Sequence, residues 1–167
     1  MTEYEKLIEQ SATWKDADEL VKKMRDVGGA ADLAKGAKDK DAADDGLIEK
    51  MQALGSAVDD LANRAKREVI AARAARDDAR KATSEALARK AADEADQHKV
   101  KADDLEQWSS IVKDTLALIS QVIVNPIKKQ NAGIVATRAA VGADAVHRYA
   151  ERATEAATGA RNIANTA

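Results

Sequence analysis

The sequence predicts an all-α fold, an elongated Ala-rich helical bundle or coiled-coil hairpin, on three observations. Between Gly55 and Pro126 the chain runs for about seventy residues without a Gly or a Pro. Through that stretch apolar residues and alanines return in alternating steps of three and four, the signature of a single helix face. The third observation is compositional: 38 of the 167 residues are Ala and none is Phe. Ala has the best helix propensity, but its methyl buries little area at roughly 25 cal/mol per Å². Long helices touching along narrow seams are expected, rather than a thick core.

The first element is a helix over 3–27. Thr2 and Glu5 stand at capping-box spacing, and Tyr4, Leu7, Ile8, Trp14, Ala17, Val21 and Met24 follow mostly on one stripe. Gly28-Gly29 reads as its C-terminal stop, with a bend near Ser11 to Thr13. Residues 1–28 therefore form an N-terminal amphipathic helix. From 29 to 46 the chain is mostly Ala, Asp, Lys and Gly, with Leu33 the only large apolar residue. That segment reads as a polar linker, since it has little to bury against the entropy of ordering.

Residues 47–167 read as a long helical hairpin. Its stripe begins at Leu47, Met51, Leu54, Val58, Leu61 and Ala65 and continues through Ala72, Ala75, Ala79, Ala82 and Ala86. Opposite charges at i,i+4, as in Asp77–Lys81 and Glu85–Arg89, support the exposed faces by a few tenths of a kcal/mol each. The most polar part, Ala92 to Asp104, is the expected place for a turn if the helix is interrupted. Beyond it the stripe becomes bulky at Leu105, Trp108, Val112, Leu116, Ile119 and Ile123. Asn125-Pro126 then forces a corner, because Pro cannot donate a backbone hydrogen bond and turns Asn125 away from helical geometry. Pro126 fits the first turn of a last helix. Its seam is Val135, Ala139, Gly142, Val146, Tyr149, Ala153, Ala156, Ala160 and Ile163. Of the glycines on this helix, Gly142 with Ala139 and Ala143 offers the best small-residue face for close helix approach.

A net charge of −2 and a pI near 5.8 argue against nucleic acid as a partner. The N-terminus lacks a basic region followed by an apolar one, so no cleavable signal peptide is expected. The most apolar stretch, Thr115 to Val124, would span about 15 Å as a helix, half of a bilayer core. No transmembrane helix is expected, which suits a cytoplasmic protein or one exported without a standard signal. The absence of Cys removes disulfides and thiolate metal sites but leaves the compartment open.

No catalytic, cofactor or metal site is expected. His147 and Glu151 lie one turn apart, as two metal ligands would, but Asp144, Arg148 and Arg152 interleave with them as a solvated charge network. His98 has acids nearby and no second ligand motif. The adjacent acids Asp59-Asp60, Asp77-Asp78 and Asp103-Asp104 point in different directions on a helix and form no carboxylate dyad. Gly28-Gly29 lacks the continuation and the strand of a phosphate-binding loop. No family motif is matched: Trp14 precedes Lys15-Asp16 and Trp108 precedes Ser109-Ser110, unlike the Trp-x-Gly turn of small secreted helical hairpins.

The functional promise lies at the apolar corner. Leu116, Leu118, Ile119, Val122, Ile123 and Val124 precede it, and Ile127, Ile134 and Val135 follow. Part of this set is expected as the thickest portion of the bundle, and its surplus as an interaction surface. The expected function is that of a non-enzymatic helical assembly or adaptor protein, which self-associates or binds a helical partner through Ala-rich coiled-coil seams. The alternative is a soluble helical protein that docks on or inserts into a lipid surface through this corner, as a pore-forming component or a lipid or granule coat would. Lys128 and Lys129 would then suit acidic head groups.

Overall fold

The computed structural model describes all residues, 1–167, as an all-α helical bundle of five helices without a strand. In order they are α1 (Glu3–Ser11), α2 (Asp18–Gly36), α3 (Lys40–Lys81), α4 (Glu85–Ser120) and α5 (Pro126–Thr166). The chain divides into two compact units. The first comprises Met1–Asp59 with Trp108–Ala143, and the second Asp60–Gln107 with Asp144–Ala167.

In the first unit the capping box forms as the sequence predicts: the Thr2 hydroxyl accepts from Glu5 N, and Thr2 N donates to the Glu5 carboxylate. The predicted single helix over 3–27 is instead two. Ser11 and Thr13 turn their hydroxyls back onto the carbonyls of Ile8 and Gln10, and Asp16 takes a left-handed φ of 58°. Nor does Gly28-Gly29 end a helix. A Cβ on Gly28 would lie 2.5 Å from Ile8 Cδ1, so this glycine lets α1 and α2 come together. Residues 29–36, expected as linker, are the last turns of α2. They are held from α1: the Tyr4 hydroxyl donates to Asp32 at 2.7 Å, and Lys35 Nζ lies 4.6 Å from the centre of the Tyr4 ring. Ala31 and Ala34 are buried beneath them. Lys40 Nζ donates to the Ala34 and Lys35 carbonyls at 3.3 and 3.2 Å, satisfying the end of α2. The Asp39 carboxylate accepts from Ala42 N at 3.1 Å and starts α3.

This unit holds the bulky core. Met24, Leu47, Met51, Leu54, Val58, Val112, Leu116, Ile119 and Ile123 are completely buried there. Helices α3 and α5 meet through glycines: a Cβ on Gly142 would lie 2.7 Å from Val58 Cγ1, and one on Gly55 would lie 3.3 Å from Val135 Cγ1. The small-residue face read from Ala139, Gly142 and Ala143 is therefore a place of close backbone approach.

The buried core of the second unit is mostly alanine, with Leu61, Val69, Leu105 and Val146 among it. One cluster joins Ala75, Ala79, Ala88, Ala91, Ala92, Ala95, Ala157, Ala160 and Ala164. The next joins Val69, Ala72, Ala102, Ala150, Ala153 and Ala156. The turn between α3 and α4 falls at 82–84, where Ser84 Oγ accepts from Leu87 N at 3.2 Å, and not within 92–104. The polar residues of 92–104 mark helix contacts instead. Asp93 and Asp96 both accept from Arg161, and His98 Nδ1 lies 2.6 Å from Glu68 Oε2. The turn also shifts the seam, so that Ala88, Ala91 and Ala95 are buried in α4 while Ala86, expected on the stripe, is exposed.

Candidate interaction surface

The corner after α4 is built by two capping devices. Ser120 Oγ donates to the Ala117 carbonyl at 2.7 Å as α4 ends. Asn125 then caps α5, its Oδ1 accepting from Ile127 N at 3.0 Å and Lys128 N at 3.1 Å. Pro126 takes the first helical position, where a missing N–H costs nothing. Lys128 turns away from the corner to α3, with Nζ 2.9 Å from Asp45 Oδ1 and 2.7 Å from the Asp41 carbonyl oxygen. Its pKa is raised, chiefly by the Asp45 hydrogen bond. Of the two lysines considered for acidic head groups, this one is therefore already engaged.

The nine residues singled out at the corner separate into three sets. Leu116, Ile119 and Ile123 point inward and are fully buried. Leu118, Val122 and Val135 are half-buried. Val124, Ile127 and Ile134 are exposed at 76%, 72% and 49% of their surface, and Val141 joins them at 67%. Ile127, Ile134 and Val141 are spaced by seven residues, two helical turns, and so occupy one face of α5. Between them stand Gln130, Asn131, Thr137 and Arg138, which makes the exposed apolar strip narrow. Beside Ile134 an open groove of about 450 Å³ runs between α3 and α5. Ile48, Gln52 and Gly55 line it from α3, and Asn131, Val135 and Arg138 from α5.

The stripe read from the sequence already carries Leu116, Ile119 and Ile123, whereas Val141 is not among the expected site residues. The spacing Ile127–Ile134–Val141 is nevertheless present in the sequence, beside the seam of Val135, Ala139 and Gly142. The Ala-rich seams expected to receive a partner are occupied within the chain, since Ala72, Ala75, Ala79, Ala153, Ala156 and Ala160 are all buried in the second unit.

His147 and Glu151 do meet, with Nε2 2.8 Å from Glu151 Oε1, and the other ring nitrogen lies 3.1 Å from Glu106 Oε2 on α4. Glu106 carries no local signal as a partner of His147, because the contact joins residues remote in the chain. Arg148 pairs with Asp144 as the i,i+4 spacing suggests. No group of three or more His, Cys, Asp or Glu side chains is arranged to hold a metal ion. No helix is long and apolar enough to cross a membrane. Neither a protein-family model, nor a curated protein, nor a solved structure matches the chain.

Proposed function

We propose that this is a non-enzymatic helical assembly protein that self-associates through the exposed face of α5 carrying Ile127, Ile134 and Val141. The observation that carries this reading is the exposure of three large aliphatic side chains at seven-residue intervals on a well-capped helix. Such a strip suits another helix. A helix lying in a lipid interface needs a broad apolar arc, whereas Gln130, Asn131, Thr137 and Arg138 confine this one to single side chains two turns apart. The strip is also self-complementary. Two copies of α5 crossing antiparallel at Ile134 set Ile127 of one copy opposite Val141 of the other, as a two-fold interface requires. The neighbouring groove beside Ile134 leaves room for a partner's side chains.

Sedimentation velocity across a concentration series, for the parent and for an Ile127→Glu/Ile134→Glu variant, tests the reading. Concentration-dependent association of the parent, lost in a variant with unchanged circular dichroism, is the expected result. A parent that stays monomeric, or a variant that associates as the parent does, overturns it. Flotation of the parent with anionic liposomes, in the absence of protein association, would support lipid docking instead.

A further inference from the structure

The only two histidines of the chain both lie in the second unit, and each reaches a glutamate on another helix. His98 on α4 meets Glu68 on α3. His147 on α5 meets Glu106 on α4. The apolar contact these residues flank is the cluster of Val69, Ala72, Ala102, Ala150, Ala153 and Ala156, five alanines and one valine. Burial of methyl groups gives that contact little to hold it. The polar links between helices stand beside this small-side-chain contact, and the His147–Glu106 pair adjoins the buried Val146 and Leu105.

His147 is placed so that its protonation state decides the link. Glu106 Oε2 lies 3.1 Å from Nδ1, and Glu151 Oε1 lies 2.8 Å from Nε2. A neutral imidazole carries one N–H and must turn the lone pair of its other nitrogen towards a carboxylate. Only the imidazolium donates to both. The charges acting on the ring are Glu106 from α4 and Glu151 and Asp144 from α5, all carboxylates, with Asp144 itself bonded to Arg148.

We propose that His147 is a pH-sensitive clasp between α4 and α5, closed while its ring is charged and loosened as the ring loses its proton. The ring's pKa is raised above the ordinary histidine value, first by the Glu106 hydrogen bond and then by the charges of Glu106 and Glu151. Because the folded value lies above the unfolded one, the stabilisation is fully present below about pH 6.5 and is lost as pH rises through the folded value. The clasp therefore loosens as pH rises, not on acidification.

The test pairs an NMR titration of the His147 ring with hydrogen exchange of residues 144–157, corrected for intrinsic rates, across the same pH range. Opening that frees the ring must change protection by tenfold for each unit that the measured pKa exceeds the unfolded value. The parent is expected to show that ratio. In Glu106→Gln the ring's pKa should fall and the ratio shrink with it, while in His147→Gln protection should no longer depend on pH. His98→Gln should leave both the His147 titration and the ratio in place. All three positions are partly or wholly exposed, and unchanged circular dichroism verifies that the variants fold. A parent whose protection is flat across the titration, or a His147→Gln variant that keeps the parent's pH dependence, overturns the proposal.

Discussion

Trp14 and Trp108 stack with their ring centres 5.6 Å apart and their planes inclined by 27°. The contact joins the segment between α1 and α2 to α4, and it involves both tryptophans of the chain. With no Phe available, one indole pair supplies aromatic area that cores commonly draw from several rings. Trp108 is buried, whereas Trp14 is only half-buried and its Nε1 finds no partner. Trp108→Ala should therefore destabilise the protein by about 3–5 kcal/mol, and Trp14→Phe, which keeps a ring and removes the unpaired N–H, by much less. Urea unfolding followed by circular dichroism ranks the two; equal losses would show that the stack is not what anchors this segment.

The division of the corner into core and surface predicts unequal responses to truncation. Ile119→Ala and Ile123→Ala should each cost about 2–5 kcal/mol, because both side chains are wholly buried. Val124→Ala and Ile127→Ala should stay within about 0.5 kcal/mol of the parent in dilute solution. Melting curves of the four variants at low concentration give the comparison.

Two glycines of α5 should answer the same substitution with opposite signs. An Ala at Gly142 would press a Cβ to 2.7 Å from Val58 Cγ1, whereas nothing lies within 4 Å at Gly133. Gly142→Ala is expected to destabilise by about 1–3 kcal/mol, and Gly133→Ala to stabilise by up to about 1 kcal/mol. Combining Gly142→Ala with Val58→Ala should cost less than the sum of the two single changes. A double-mutant cycle in urea measures that coupling, and strict additivity would contradict the close contact.

The two helix starts that follow tight turns should each depend on one side chain. Ser84→Ala removes the acceptor for Leu87 N, and Asn125→Ala removes the acceptor for Ile127 N and Lys128 N. Each should cost about 1 kcal/mol by thermal or urea denaturation. Ser84→Asn, which restores a capping oxygen, should recover most of the first loss.

The helical class was legible because its signals are periodic and local. The seam from Leu47 to Ala79, the capping box at Thr2 and the corner at Asn125-Pro126 all rest on residues close together in the chain. What escaped depended on residues far apart. Gly28-Gly29 resembles a stop unless Ile8 is known to lie against Gly28. The end of α2 resembles a linker unless Tyr4 is known to reach Asp32 and Lys35. The polarity of Asp93, Asp96 and His98 resembles a turn unless Arg161 and Glu68 are known to face them. The true turn left a weaker local mark in Thr83-Ser84, a capping pair followed by Glu85, which an unbroken Ala stripe obscured. At the corner the stripe picked out Leu116, Ile119 and Ile123 as core, while the exposure of Ile127, Ile134 and Val141 depends on how α5 packs against α3.

The most direct measurement of the proposed assembly is a concentration series of isoleucine methyl spectra, from about 10 μM to 1 mM, a range that brackets weak self-association. Ile127 and Ile134 are exposed on the α5 strip, while Ile119 and Ile123 are core residues in the same unit and serve as internal references. Self-association through the strip predicts that the Ile127 and Ile134 methyl signals move or broaden with concentration while those of Ile119 and Ile123 stay fixed. Four signals unchanged across the whole range, or changes confined to methyls away from the strip, such as exposed Ile70 on α3, would contradict it.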